Sequence, residues 1–210
     1  MAYPIARRII PPIVKKLWVN KVNGFENLPK ENQFIIAANH ASYMDHFVMS
    51  LLVQHLNRKI HVLAKKEHFN NIFKKAWHTY IGAIPIDREK GDEEALRWAV
   101  EALNEGKLVG IHPEGTRSLT GRLQKGKTGV ARLALISKAP VVPIGLIGTF
   151  EILPKGKYIP RFKRATMNIG KPMYFPEYYN KRISKKMLRD ITNKIMKEIA
   201  KLCRQKYDFR

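Results

Sequence analysis

The sequence contains one cysteine, Cys203, and seven histidines among its 210 residues. A single cysteine excludes a disulfide framework and fits a reducing compartment. The histidines are scattered, and no His-Glu-x-x-His pair of zinc ligands occurs. We therefore expect no metal site. The fold must be held by a hydrophobic core, for which 45% hydrophobic residues suffice.

Long apolar runs are also missing. The longest stretch without Asp, Glu, Lys or Arg covers 13 residues, from Asn32 to Met44, whereas a membrane-spanning helix needs about 20 apolar residues. The apolar residues 9–14 near the N-terminus are too few and too rich in proline for a signal peptide. Any membrane contact is therefore expected to be peripheral.

Acidic residues are scarce, with 17 Asp and Glu against 39 Lys and Arg, which gives a net charge of +22. The imbalance is uneven, because residues 1–105 carry +4 and residues 106–210 carry +18. Such a surface attracts polyanions, which include nucleic acid, anionic lipid headgroups and acidic carrier proteins. Charge alone does not choose among these partners.

Apolar runs alternate with helical patterns along the chain. Residues 34–38, 108–111 and 141–147 have the composition of buried strands, and Asp92 opens a clear amphipathic helix. This alternation predicts an α/β fold with a largely parallel central sheet and helices on both faces. We expect one domain over residues 21–210 that ends in a basic helix from Ser184 to about Gln205.

Residues 1–20 mix two basic pairs with isoleucine, leucine and tryptophan, a composition typical of a segment at a membrane interface. We expect a short amphipathic segment that contacts a membrane. The same apolar residues could instead dock a helix on the domain. The C-terminal helix has the same two interpretations, with an apolar stripe for the core and a basic face for solvent or lipid.

His40 and Asp45 lie between the predicted strand 34–38 and the predicted helix that follows it. Open α/β sheets place their chemistry at such a turn. A carboxylate five residues after a histidine can fix the tautomer of the imidazole and leave its other nitrogen as a general base. Alternatively, Asp45 caps the helix and His40 is an ordinary loop residue.

A second polar block, residues 112–118, follows the predicted strand 108–111. Asn39-His40-x4-Asp45, followed later by Glu114-Gly115-Thr116-Arg117, resembles the glycerolipid acyltransferase family, which includes the lysophosphatidic acid acyltransferases. Two further blocks agree in order, at residues 82–88 and 141–144. The resemblance spans roughly residues 22–172.

The resemblance implies a role for each residue of these blocks. His40 is the general base and Asp45 orients it, while Arg88 and Arg117 bind the phosphate of the acceptor through charge-assisted hydrogen bonds. Glu114 and Thr116 bind glycerol hydroxyls or hold the loop, and Gly115 allows close backbone approach. The chain departs from the family at two positions that often hold an aromatic residue, His112 and Pro85.

The implied reaction moves an acyl chain from an acyl-coenzyme A or acyl-carrier-protein thioester to the 2-hydroxyl of lysophosphatidic acid, which gives phosphatidic acid. No cofactor is implied. The implied partners are these substrates and an anionic membrane, and the implied place is the cytoplasmic face of the cell membrane. Glycerol 3-phosphate or another lysolipid is an alternative acceptor. A nucleic-acid-binding module is the alternative from another class, although no recognisable signature supports it.

Residues 121–128 match the literal P-loop pattern Gly-x4-Gly-Lys-Thr. A nucleotide-binding P-loop begins directly after a buried strand, but here the predicted strand 108–111 ends about nine residues earlier. We therefore expect no nucleotide site in this segment and assign Lys127 no chemistry.

Overall fold

A computed structural model describes residues 2–65, 70–72, 82–86 and 92–209. These residues form a seven-stranded sheet with the order β1-β7-β6-β2-β5-β3-β4. The strands are β1 (Val19–Asn23), β2 (Ile35–Ala38), β3 (Ile60–Lys65), β4 (Ala83–Ile86), β5 (Leu108–Ile111), β6 (Val141–Ile147) and β7 (Ala165–Ile169). Neighbouring strands are parallel except β6 and β7, which run antiparallel. The predicted, largely parallel sheet is confirmed.

Helices cover both faces of this sheet, as predicted. The α-helices of the described residues are α1 (Ala2–Trp18), α2 (Met44–Leu56), α3 (Asp92–Asn104), α4 (Gly129–Ser137), α5 (Thr149–Ile152) and α6 (Lys185–Cys203). Short 3-10 turns lie at Phe25–Asn27 and Pro176–Tyr178. The basic C-terminal helix is α6, and the side-chain hydroxyl of Ser184 caps it by accepting from the backbone N–H of Met187.

Strand β2 shows why both faces are covered. Its side chains alternate, so that Ile35 and Ala37 pack with α3, α4 and α6, while Ile36 and Ala38 pack with α1 and α2. All four are completely buried. Because β2 lies between β5 and β6, its carboxyl end sits at the middle of the sheet.

Helix α1 packs on α2, with Val14 buried in the core and Ile10 and Trp18 partly buried beside it. One side of α1 is therefore docked on the domain, as the second interpretation of residues 1–20 expected. The other side exposes Ile9, Ile13 and Leu17, which leaves an apolar surface outside the core. None of the helices in the described ranges is long and apolar enough to cross a membrane.

One predicted site residue, Arg88, lies outside the described residues. Cys203 is buried at the end of α6, where burial raises the pKa of its thiol to about 11. This agrees with a packing role for the cysteine.

Candidate active site

The loop that joins β2 to α2 carries the first block of candidate residues. It leaves the sheet beside β6, where Asn39 fixes it through two hydrogen bonds. The Asn39 side-chain amide donates to the carbonyl of Leu146 (2.9 Å), and its oxygen accepts from the Leu146 N–H (2.7 Å). Asn39 is almost completely buried. Its two hydrogen bonds continue the pairing of β2 with β6 beyond the end of β2 and so fix the position of the next residue, His40.

His40 and Asp45 form a hydrogen-bonded dyad. The distance between His40 Nδ1 and Asp45 Oδ2 is 2.8 Å, and the carboxylate is fully buried. Because a carboxylate oxygen accepts, Nδ1 must donate, which leaves Nε2 as the basic nitrogen. The predicted pairing of these two side chains is therefore present in the structure.

Asp45 Oδ2 also organises the loop around the histidine. It accepts from the backbone N–H groups of Ala41 (2.8 Å) and Ser42 (2.9 Å). These amides precede α2, so the carboxylate closes the loop before the helix and does not cap it. The helix start is served instead by Ser42 Oγ, which accepts from the Met44 N–H at 2.9 Å.

Burial determines the protonation of the dyad. Burial, together with positive charge from His46, Arg117 and Lys155, lowers the pKa of His40 to about 2. Burial also raises the pKa of Asp45, whereas its backbone hydrogen bond to Ser42 and the nearby Thr149 hydroxyl lower it. With three N–H donors on Oδ2 we expect the carboxylate to stay ionised and the imidazole to stay neutral at neutral pH, which is the state a general base requires.

Glu114 joins the second block of candidate residues to the first. Its Oε1 accepts from the His40 N–H at 2.7 Å, and its Oε2 accepts from the Gln124 N–H at 2.9 Å. The backbone returns the link, since the Ser118 N–H donates to the His40 carbonyl at 2.8 Å. Glu114 is buried, and burial raises the pKa of its carboxyl group to about 7. Of its two predicted roles, the structure therefore shows that of holding the loop.

Arg117 lies against the ring of Tyr43. Its Cζ is 3.5 Å from the centroid of that ring, which is a cation–π contact. Its Nη1 is buried without a hydrogen-bond partner. A buried, unpaired donor of a charged group is costly, so this atom is suited to an anionic ligand. Its charge also lowers the pKa of His40, which places it near the dyad.

Gly115 is favoured by its backbone conformation, and the flexible end of a lysine side chain lies over it. Its φ of +73° lies in the left-handed region, and a Cβ placed there would lie 2.9 Å from Cε and 3.2 Å from Nζ of Lys127. Lys127, to which the sequence assigned no chemistry, therefore lies against the loop of residues 114–117. Thr116 is exposed, and its carbonyl accepts from Gln124 Nε2 at 2.9 Å.

Three imidazoles meet at the dyad. The rings of His40 and His112 are stacked 3.9 Å apart at 9°, and His46 meets both edge-on. Within the described ranges these histidines form a group whose ligand atoms all lie within 4.8 Å of one another. A metal ion bound by two imidazoles lies near the plane of each ring, and two almost parallel stacked planes share no such point. The stacking therefore favours a role for His40 as a base, packed against the ring of His112, over a role for the two histidines as ligands of one metal ion.

Several residues near the dyad come from distant parts of the chain, and the sequence pattern does not predict their positions. Nothing in the pattern showed that Lys155, 115 residues after His40, would contribute positive charge at the histidine. Thr149 was missed for the same reason: its hydroxyl lies beside Asp45, although neither Thr149 Oγ1 nor Asp45 Oδ1 completes a hydrogen bond. The sequence shows that His112 stands where the family often has an aromatic residue, but it does not show that His112 stacks on His40.

The P-loop pattern forms no phosphate cradle. Backbone N–H groups that would have to face a phosphate instead donate within the protein, at Leu123 (to Gln205), Gln124 (to Glu114), Gly126 (to Tyr207) and Lys127 (to Pro113). A P-loop binds phosphate through free amides of this kind. This geometry agrees with the expectation that the segment is not a nucleotide site.

Comparison with known proteins identifies the family. A family model described as Acyltransferase matches residues 20–147. The 1-acyl-sn-glycerol-3-phosphate acyltransferase of Bacillus subtilis is 34% identical over 184 residues, which cover 87% of both chains. The chain belongs to the acyltransferase family.

Two further relatives bear on length and fold. The chloroplastic 1-acyl-sn-glycerol-3-phosphate acyltransferase BAT2 of Brassica napus is 30% identical over 182 residues, which cover 80% of this chain and 52% of the plant protein. The crystal structure of the 1-acyl-sn-glycerophosphate acyltransferase from Thermotoga maritima superposes with a TM-score of 0.69 at 25% identity. That superposition covers 95% of this chain and 82% of the other, and it confirms the α/β fold.

The loop geometry predicts the effect of Gly115→Ala. We expect kcat/KM for acyl transfer to fall at least ~10-fold, because alanine strains this backbone conformation by about 1–2 kcal/mol and so shifts the loop that holds Glu114 and Arg117. Gly106→Ala is the matched control, since Gly106 has a φ of +76° but no atom within 4 Å of its Cβ position. It should lower the melting temperature and leave kcat/KM unchanged. Equal kcat/KM in the two variants would contradict a dependence of acyl transfer on the conformation of this loop.

Histidine titration tests the protonation of the site. Burial lowers the pKa of His112 to about 3 and that of His40 to about 2. Their imidazole signals in a 15N-resolved NMR titration should therefore stay those of neutral rings between pH 5 and 8. The chain unfolded in urea is the control, where every histidine should titrate near 6.5. A midpoint near 6.5 for His40 in the folded protein would show that water solvates the dyad.

Proposed function

We propose that the protein transfers an acyl chain from a coenzyme A or acyl-carrier-protein thioester to the 2-hydroxyl of lysophosphatidic acid, which gives phosphatidic acid. The observation that carries the proposal is a neutral His40 held by a buried carboxylate within the field of Arg117, whose Nη1 has no partner. Similarity to the 1-acyl-sn-glycerol-3-phosphate acyltransferases of Bacillus subtilis and Brassica napus supports the choice of acceptor.

The reaction needs a base, because the pKa of an alcohol lies far above neutral pH. His40 Nε2 removes the proton of the acceptor hydroxyl as its oxygen attacks the thioester carbonyl. Asp45 stabilises the imidazolium that forms. When the tetrahedral intermediate collapses, the carbon–sulfur bond breaks, and the departing thiolate takes the proton from His40. The substrate hydroxyl thus occupies the place that a nucleophilic serine has in a hydrolase.

The phosphate of the acceptor fits the cationic side of the site. Arg117 offers its unpaired Nη1, and Lys155 adds a second positive charge near His40. Arg88, which lies outside the described residues, remains a proposed phosphate ligand. Thr116 remains a proposed ligand for a glycerol hydroxyl. No cofactor takes part in the proposed reaction.

Other acceptors and another class of function remain to be compared by experiment. Glycerol 3-phosphate or a different lysolipid would use the same base and the same arginine. A basic nucleic-acid-binding module would need neither the base His40 nor an arginine for the acceptor phosphate. A thiol-release assay with a panel of acyl donors against a panel of acceptors separates these cases, because an acyltransferase alone frees thiol when its acceptor is added.

We also propose that the protein works at an anionic membrane surface on the cytoplasmic face of the cell membrane. The lipid nature of the acceptor, the net charge of +22 and the single, buried cysteine support this placement. Residues 1–20 are proposed to contact the membrane through the exposed side of α1. An acidic carrier protein as donor would also meet a complementary basic surface.

Substitution of the dyad tests the mechanism. His40→Ala should lower kcat by at least ~10³, because the base and its positioning are both lost. Asp45→Asn should lower kcat substantially while the fold is kept. His55→Ala is the control, since His55 lies at the far end of α2, stacked on Phe25. Near-normal turnover in a folded His40→Ala protein would overturn the mechanism.

Substitution of Arg117 tests the acceptor phosphate. Arg117→Ala should raise the acceptor KM by roughly 10- to 100-fold, as expected for losing about 1.5–3 kcal/mol of charge-assisted bonding. The KM of the acyl donor should change little. Arg122→Ala provides a matched control, because Arg122 is an exposed arginine that follows Arg117 by five residues. A rise in the donor KM alone would assign Arg117 to the donor.

A further inference from the structure

One loop of the structure exposes three large apolar side chains within five residues. It covers residues 154–163 and is called the docking loop here. Tyr158, Ile159 and Phe162 in this loop are 89%, 84% and 88% exposed. Scattered apolar residues are normal on a protein surface, but a cluster of this kind marks an interaction site.

The docking loop is strongly basic. Lys155, Lys157, Arg161 and Lys163 interleave with the three apolar side chains, and no acidic residue occurs between Glu151 and Glu177. Exposed aromatic and aliphatic side chains set among lysines and arginines are typical of a segment that lies in a membrane interface. The positive charge complements anionic lipid headgroups.

The backbone of the loop is fixed at its base. The Arg161 N–H donates to the Ile152 carbonyl at 2.8 Å, and the Lys157 N–H donates to the Pro154 carbonyl at 3.0 Å. These hydrogen bonds hold the loop closed, so the apolar tip is presented by an ordered scaffold. Insertion of a preformed loop avoids much of the entropy cost of ordering a segment on binding.

Helix α1 extends the same surface. The indole N–H of Trp18, the last residue of α1, donates to the carbonyl of Arg161 at 3.2 Å. The exposed residues Ile9, Ile13 and Leu17 recur every fourth position and so form one stripe along the helix. Helix α1, which carries the stripe, is therefore joined to the docking loop by a direct hydrogen bond.

We propose that the docking loop inserts Tyr158, Ile159 and Phe162 into an anionic bilayer beside the stripe on α1. The proposal rests on the proposed function, because it supplies the route to a lipid acceptor. The base of the loop lies at the active site: Ser42 Oγ donates to the Leu153 carbonyl at 2.6 Å, and Ser42 pairs with Pro154 in a β-bridge. Lys155 of the loop is close enough to lower the pKa of His40. Insertion thus brings lipid headgroups next to His40.

Co-sedimentation with vesicles tests the insertion. The variant Tyr158→Ser/Ile159→Ser/Phe162→Ser should partition at least ~10-fold less onto phosphatidylcholine vesicles that contain phosphatidylglycerol, because three apolar side chains lose their burial. The double variant Tyr174→Ser/Ile136→Ser is the matched control. Both residues are exposed and lie near the start of β6, at the end of the sheet opposite His40. It should partition like the unmodified protein.

A second readout does not depend on loss of binding. A Phe162→Trp variant should gain emission that brominated lipids quench, whereas Tyr174→Trp should gain emission that they do not quench. Equal partitioning of the triple variant and the unmodified protein, or unquenched emission from residue 162, would overturn the proposal. It would also be overturned if the triple variant kept vesicle binding and lost binding to a purified acidic carrier protein, since the loop would then dock the donor.

The two proposals fail in different ways. The triple variant should release thiol at the normal rate with a short-chain, monomeric lysophosphatidic acid, because these three side chains touch no reacting atom. Loss of thiol release in the unmodified protein would refute the proposed function and leave the vesicle result standing. Normal release with the monomeric acceptor and unchanged vesicle binding in the triple variant would refute the docking loop alone.

Discussion

The buried carboxylate of Asp45 is the group on which the rest of the site depends. An ionised carboxylate without water is unfavourable unless donors surround it, and here one imidazole and two backbone amides converge on a single oxygen. Those contacts close the loop, orient the ring of His40 and leave its second nitrogen basic. The chemistry and the local fold therefore have the same cause.

A second carboxylate repeats this arrangement one layer further out. Glu114 accepts from the backbone of His40 and from Gln124, so the loop after β2 and the loop after β5 are connected by one side chain. Asn39 makes the corresponding link to β6. The ends of three adjacent parallel strands are thus tied together by polar side chains where the hydrogen bonds of the sheet end. Asn39 and Glu114 in the family blocks thus connect strand ends, whereas Arg117 has a buried Nη1 without a hydrogen-bond partner among the described residues.

The sequence predicted those parts that depend on local pattern. Strands 108–111 and 141–147 are recognisable as apolar runs, and the spacing of His40 and Asp45 allows them to pair. What it could not predict depends on contacts far apart in the chain. The position of Lys155 near His40 follows from the path of the chain after β6, and the contact of Lys127 with Gly115 follows from how one loop folds over another. The stacking of His112 on His40 arises because β2 and β5 are adjacent.

The hydrogen bond from Ser42 to Leu153 has a consequence for how the rate would depend on concentration. It fixes the base of the exposed loop to the turn that bears His40, so the height of His40 above any surface that the loop enters is set by the fold. An enzyme held at a fixed height meets its lipid by diffusion in two dimensions. Its turnover would then follow the mole fraction of acceptor in the surface, and inert lipid added to the same vesicles would act as a diluent even though the bulk concentration of acceptor stayed constant.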